Sequence, residues 1–274
     1  MPQPSSQNPM LTLVSNAGET ARQTPAISIQ NFNAYYGENC ILSEIELDIA
    51  PTGITCLIGP SGAGKSTILR TLNRIHEDAG DAHFTGSIQV LGRDLMSGYP
   101  DVTELRRRVG MVFQTPCVFP QSIAENVVFG LRGKKLSRAE TRKIVAESLK
   151  AAALWDEVSR RLDQSALSLS LGQQQRLCIA RALAMSPEVL LLDEPTASVD
   201  PVSARAIEDL VTSLSQTMAI VMVTHNIAQT KRIADQVVFI CDGHVVESGK
   251  KTDMFSKRSS EKTRTYLTEE FCDC

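Results

Sequence analysis

Gly59-Pro-Ser-Gly62-Ala-Gly64-Lys65-Ser66 matches the pattern GxxxxGK[ST], and Thr67 follows it directly. Before it stands Ile54–Ile58, an apolar run of strand length. After it Ile68, Leu69, Leu72 and Ile75 recur at spacings of three and four, which makes one apolar helix face. A strand, a glycine-rich loop and a helix in that order are the context in which the pattern carries chemistry. Glycines let successive backbone N–H groups curl around phosphate oxygens, and the helix start adds its positive dipole end. Lys65 can then reach the β- and γ-phosphates, while the Ser66 hydroxyl suits Mg²⁺. Chance alone produces this pattern in roughly one chain in a hundred of this size. Gly59 to Thr67 (with Pro60, Ser61, Gly62, Ala63 and Gly64 between) is therefore read as a nucleotide-phosphate loop.

Working outward, short aliphatic runs appear at Ile27–Phe32, Ile45–Ile49, Ser87–Leu91, Val109–Phe113, Val189–Leu192, Ala219–Val223, Val237–Ile240 and His244–Glu247. Several are continuously apolar, as expected of strands covered on both faces. Helical patterns lie between them. Ser137–Arg161 has no strand-like run and reads as successive helices, and the stretch of about 116–178 reads as a helical insertion. The helix after Gly172 is expected to bury Leu177, Ala180, Leu183 and Ala184, with Arg176 and Arg181 off that stripe. This alternation predicts an α/β core with a parallel sheet. Ligands gather at the carboxyl ends of such strands, so Asp193 and Glu194, which end the run Val189–Leu192, are placed to meet the phosphate loop. Asp193 suits a Mg²⁺ ligand and Glu194 a general base for the attacking water.

Composition fits an ordinary globular chain. The 274 residues are 42% hydrophobic and 22% charged, and 28 Lys+Arg against 31 Asp+Glu leave a net charge of −3. Near-neutrality argues against a whole-chain nucleic-acid footprint, and no nucleic-acid partner is expected. No apolar run approaches the ~18 residues of a membrane-spanning helix. The start, MPQPSSQNPM, lacks the basic and apolar stretches of a secretory signal. Residues 1–25 are polar and are expected to form a flexible tail. The seven cysteines are scattered and the four histidines show no ligand spacing, which sets aside a zinc site; Cys272 and Cys274 read as part of a frayed end.

Four further segments choose among phosphate-loop families: Gln114 after Val109–Phe113, Leu169-Ser-Leu-Gly-Gln173 before a helix, Ser198-Val-Asp200 after the acidic pair, and Thr224-His225 after Ala219–Val223. With Tyr35-Tyr36-Gly37 near the start, the chain over about 27–269 resembles the ATP-binding subunit of ABC transporters. The resemblance implies a P-loop NTPase core with a RecA-like parallel sheet, an antiparallel β subdomain and an inserted helical subdomain. It implies ATP and Mg²⁺ as ligands. Tyr36, or else Tyr35, would stack on adenine, and Gln114 would contact Mg²⁺ or the lytic water and relay nucleotide state to membrane subunits. His225 would bind the γ-phosphate and support Glu194, and Asp200 would lie at a dimer interface. Ser170, Gly172 and Gln173 would cap the γ-phosphate held by the opposite subunit. Leu171 departs from the family's Leu-Ser-Gly-Gly-Gln, and a leucine there would be strained if the position needed positive φ.

A finer resemblance, to the ATP-binding subunits of phosphate importers, rests on Gln114–Asn126, Ala152–Glu157, Gly172–Arg181 and Thr263–Phe271. It implies ATP hydrolysis in a head-to-tail homodimer, coupled to phosphate uptake through two integral membrane permease subunits and an external phosphate-binding protein. The chain would then sit peripherally at the cytoplasmic face of the cell inner membrane. The apolar segment Pro116–Ile123 is where a membrane subunit's helix is expected to dock. The alternatives are an ABC ATPase importing another solute such as an amino acid, or a soluble non-transport ABC ATPase. The span from Gly92 to Leu167 has no sustained heptads and no second motif set appears, which speaks against the latter.

Overall fold

Strand β3 (Gly53–Ile58) enters the phosphate loop and helix α1 (Lys65–Leu72) leaves it, in the order the pattern predicts. In this computed structural model the described residues are 24–75, 81–95, 97–99 and 101–269. The expected tail up to residue 23, and Cys272 and Cys274, lie outside them.

Around β3 stands a six-stranded sheet in the order β10-β9-β3-β8-β7-β6, with β6 (Val109–Val112), β7 (Val189–Asp193), β8 (Ala219–Val223), β9 (Gln236–Cys241) and β10 (His244–Lys250). Neighbours from β9 to β6 run parallel, and only β10 returns antiparallel, onto β9. Every residue of β7 and β8 is buried. Such strands have no polar face, which is why they read as unbroken apolar runs.

Successive side chains point to opposite faces of a strand, and the sheet accordingly divides two cores. On one face Ile54, Cys56, Leu192 and Met222 pack with Leu177, Ile207 and Val211. Leu177 belongs to α6 (Leu171–Leu183), and Ile207 and Val211 to α7 (Pro201–Leu214). On the other face Leu57, Leu191 and Val221 pack with Ile68, Leu69 and Leu72 of α1. The same core includes the inner faces of β1 (Ile27–Tyr36) and β2 (Asn39–Ile49). These belong to a second, antiparallel sheet in the order β2-β1-β4-β5, with β4 (Ala82–Val90) and β5 (Arg93–Asp94). The α/β class with one mainly parallel and one antiparallel sheet is thus as read from the sequence.

Helix α2 (Val102–Arg108) leads into β6, and between β6 and β7 come α3 (Ile123–Val127), α4 (Arg138–Ala151) and α5 (Trp155–Val158), then α6. Ser122, Ser137 and Ser170 each start a helix through a reciprocal capping box, with Glu125, Glu140 and Gln173 three residues on. Helix α6 buries Leu177 and Ala180 and packs Leu183 and Ala184 against the core as expected, but one of the two arginines read as off that stripe is buried with them. Arg176 is buried, because its Nη1 donates to the carbonyl of Ala153 (2.7 Å) and pairs with Glu157 (2.6 Å). A guanidinium can be taken from water when such partners meet it; these come from the turn before α5 and from α5 itself, some twenty residues away in sequence.

Candidate functional site

The loop geometry follows from close backbone approach. Gly59 has φ 147°, and a Cβ there would lie 1.9 Å from the carbonyl oxygen of Ile240, so only glycine lets the loop leave β3 across β9. Beyond it an open cleft of about 220 Å³ is lined by Ser61, Gly62, Gly64, Lys65, Ser66, Thr67 and Glu194. The first helical bond of α1 runs from Ile68 N–H to the Gly64 carbonyl, so the N–H groups of Lys65, Ser66 and Thr67 have no helical acceptor. Ala63 is buried behind the loop, its N–H donating to the Pro60 carbonyl at 3.3 Å.

Lys65 is buried, with Nζ donating to the carbonyls of Gly59 (2.8 Å) and Pro60 (2.7 Å). Burial lowers the pKa of its ammonium, against the opposing pull of Glu194 and Asp193. Across the cleft, Ser66 Oγ donates to Asp193 Oδ1 at 2.9 Å. Asp193 is the last residue of β7, and β8 lies between β7 and β3 in the sheet, so their carboxyl ends share one edge. Glu194 then turns sharply, at φ 45°, with its N–H donating to the Val223 carbonyl at 3.0 Å. This left-handed turn, which the sequence did not announce, aims the carboxylate back into the cleft beside Lys65. His225 leaves β8 with Nδ1 3.0 Å from Glu194 Oε2, a hydrogen bond that a proton on Nδ1 completes.

Lys65, Ser66, Asp193, Glu194 and His225 thus form one contiguous group. Gln114 is exposed two residues past β6, the strand next to β7. Tyr36 closes β1, half-buried and paired with Asn39 and Ala82, while the Tyr35 ring stacks on His83 at 4.6 Å.

A second group surrounds the starts of α6 and α7. Ser170 caps α6, and Gln173 returns the bond to the Ser170 N–H at 3.1 Å. Asp200 caps α7 by accepting from Val202 N–H (3.0 Å) and Ser203 N–H (3.1 Å), and the Ser203 side chain first, then these N–H bonds, hold its carboxyl below its ordinary pKa. Gly172 sits where the two helices nearly touch, and a Cβ there would meet Ser203 Oγ at 2.3 Å and Ser203 Cβ at 2.4 Å. Leu171 opens α6 with helical backbone and is 53% exposed, so the strain of a leucine at positive φ does not arise. Among the described residues no hydrogen bond joins this group to the first. The sequence reading gave Glu157 no role. Its Oε2 accepts from Gln173 Nε2 at 2.7 Å and its Oε1 pairs with Arg176. Burial works to raise its pKa, but the bonds from Arg176 and Gln173 prevail and hold it low.

Gly172→Ala is expected to force α6 and α7 apart. Overpacking of this kind costs about 1–3 kcal/mol. The loss should appear as a lower denaturant midpoint and be partly recovered by adding Ser203→Gly; an unchanged midpoint would contradict the contact.

Residues 42–197 match the family model described as ABC transporter. The chain is 49% identical over 246 residues to the phosphate import ATP-binding protein PstB of Thermotoga maritima, covering 89% of this chain and 98% of that one. Its fold superposes on CbiO1 of Clostridium perfringens, part of the ABC transporter complex CbiONQ, with a TM-score of 0.76 at 28% identity, covering 90% of this chain and 96% of that one. It also superposes on a dimeric ATP-binding cassette, MJ0796, in a post-hydrolysis state bound to ADP and Pi, with a TM-score of 0.69 at 31% identity, covering 82% and 98% of the two chains. With an edge of the parallel sheet that gathers a phosphate loop, an acidic pair and a histidine, this chain belongs to the ATP-binding proteins of the ABC transporter family.

Proposed function

We propose that this chain is the ATP-hydrolysing subunit of an ABC importer that takes up inorganic phosphate. The observation that carries the chemistry is the cleft in which Lys65, the Ser66–Asp193 bond and the Glu194–His225 contact converge. The likeness to a phosphate import relative supports the solute. No described helix is long and apolar enough to cross a membrane; in this reading permease subunits provide the path. Two chains pair head to tail, with two membrane permease subunits and an external phosphate-binding protein completing the assembly. The pair works peripherally, at the cytoplasmic face of the membrane.

Within each half-site the loop N–H groups and Lys65 hold the ATP phosphates. Tyr36 is the ring assigned to adenine, since that of Tyr35 is already stacked on His83. Glu194 accepts the proton of the attacking water, and His225 orients that carboxylate and donates to the γ-phosphate. Ser170, Gly172 and Gln173 of the partner subunit close over the same γ-phosphate, with Asp200 at the interface. Gln114 passes the state of the site to the permease side.

Magnesium fits the donors present. Ser66 Oγ and Asp193 Oδ1 are hard oxygens 2.9 Å apart, with Gln114 as a third oxygen donor on the neighbouring strand end. Among the described residues no cluster of three His, Cys, Asp or Glu forms an all-protein cage. Few protein oxygens plus substrate phosphates is the pattern magnesium favours. When bound, it would neutralise charge on the β- and γ-phosphates.

Deleting this chain from its cell is expected to abolish high-affinity uptake of labelled phosphate, and wild-type chain but not Glu194→Gln should restore it. Loss of amino-acid uptake instead would replace the solute. Unchanged uptake of both, with no membrane protein co-purifying, would remove the transport reading.

A further inference from the structure

One buried amide ties together the loops that carry Glu194 and His225. Gln229, in helix α8 (Ile227–Ile233), is 1% exposed. Its Oε1 accepts from Thr224 Oγ1 at 2.8 Å, and Thr224 immediately precedes His225. Its Nε2 donates to Thr196 Oγ1 at 2.9 Å, and Thr196 lies two residues after Glu194 in the turn closed by Ala197 N–H on the Glu194 carbonyl. The same Nε2 donates to Glu208 Oε1 at 3.2 Å. Glu208, 4% exposed on α7, is gripped by Arg232 through both oxygens, at 2.6 and 3.0 Å. Asn226 completes the assembly: its N–H donates to Thr224 Oγ1 and its side chain caps α8 through Gln229 N–H.

Resting on the reading of Glu194 and His225 as the hydrolytic pair, we infer that Gln229 is a positioning residue for ATP hydrolysis, held in register by Glu208 and Arg232. The 3.0 Å contact between His225 and Glu194 spans two loops, and His225 is 65% exposed at its side chain, so its surroundings alone do not fix it. Gln229 bonds one hydroxyl in each of those loops. It needs an acceptor on one side and two donors on the other, which an amide supplies and neither a carboxylate nor a thioether does. Its third bond, to Glu208, fixes the direction of the amide and anchors it to the helix capped by Asp200. The network neither touches the phosphate loop through any of these bonds nor lines its cleft, so it bears on turnover and not on ATP affinity.

The test compares full-length Gln229→Met, Thr224→Val, their double variant and Thr224→Ser with wild type and Glu194→Gln, in steady-state ATPase assays with thermal melts. Gln229→Met keeps the side-chain length and removes the amide. Misplacement by a fraction of an ångström to an ångström lowers rates by up to about 10²-fold, so kcat is expected to fall about 10- to 100-fold with KM for ATP within about threefold. Thr224→Val should reproduce the loss, Thr224→Ser should restore turnover to within about threefold of wild type, and the double variant should be no worse than either single one, since one linkage is cut once. Turnover of Gln229→Met within about twofold of wild type, with Glu194→Gln inactive, overturns the inference and spares the hydrolytic pair. If Thr224→Ser is as impaired as Thr224→Val, or if the losses follow the melting temperature, the network is packing only and the inference fails. An active Glu194→Gln overturns the hydrolytic pair itself.

Discussion

Glu194→Gln is expected to bind ATP as wild type does, to lower hydrolysis by about 10²–10⁴-fold, the usual worth of a general base, and to accumulate the ATP-bound dimer. The substitution keeps shape and one acceptor, so the turn at φ 45° and its N–H bond to Val223 survive. What is lost is the basic oxygen that faces the cleft and meets His225 at 3.0 Å. Removing a negative charge beside Lys65 leaves ATP affinity intact or improved, because less like charge then faces the phosphates. Nucleotide titration, single-turnover hydrolysis and size-exclusion chromatography with ATP check the three parts separately. Unchanged single-turnover hydrolysis would remove Glu194 from the mechanism.

Lys65→Ala acts on binding itself. The ammonium is held in the loop by two backbone carbonyls, where burial already disfavours it, so it is poised for a stronger anionic partner. Charged hydrogen bonds contribute about 1.5–3 kcal/mol each, so losing one to phosphate lowers ATP affinity roughly 10- to 100-fold. Hydrolysis should fall further, since the γ-phosphate is then unsupported as its charge shifts. Lys65→Arg is not expected to rescue, because a planar fork cannot occupy the place of a point charge inside the loop. ATP titration by calorimetry alongside turnover checks this, and ordinary turnover in Lys65→Ala would refute the loop assignment.

What could be read from the sequence was local or periodic. The phosphate loop is a spacing of glycines within one short stretch of chain, although the 1.9 Å approach that demands Gly59 comes from Ile240 in β9, far along the sequence. Strands β7 and β8 were legible because both faces are buried and nothing polar interrupts them. The first half of β2 was not: Asn39, Cys40 and Ser43 show no apolar run, and that part of the strand is held by pairing with Tyr36, Tyr35 and Ala34. Asp193 and Glu194 could be placed from the end of β7, yet the positive φ of Glu194 depends on a carbonyl in β8. Arg176 reads as lying off the apolar stripe of its helix, and no spacing singles out Glu208 or Gln229, yet all three are buried. Their burial is licensed by partners in other elements, and such partners leave no periodic trace in sequence.

The near-contact of Gly172 with Ser203 has a mechanical meaning. In the head-to-tail pair proposed above, the start of α6 faces the neighbour's nucleotide, while α7 begins at Asp200 and carries Glu208 to the buried amide behind this chain's own histidine. With no room for even a methyl group between the two helices, α6 cannot advance onto one ATP without shouldering α7 along. In that proposed pair each subunit would work as a rocker arm, its outer end on the neighbour's fuel and its inner end on its own trigger.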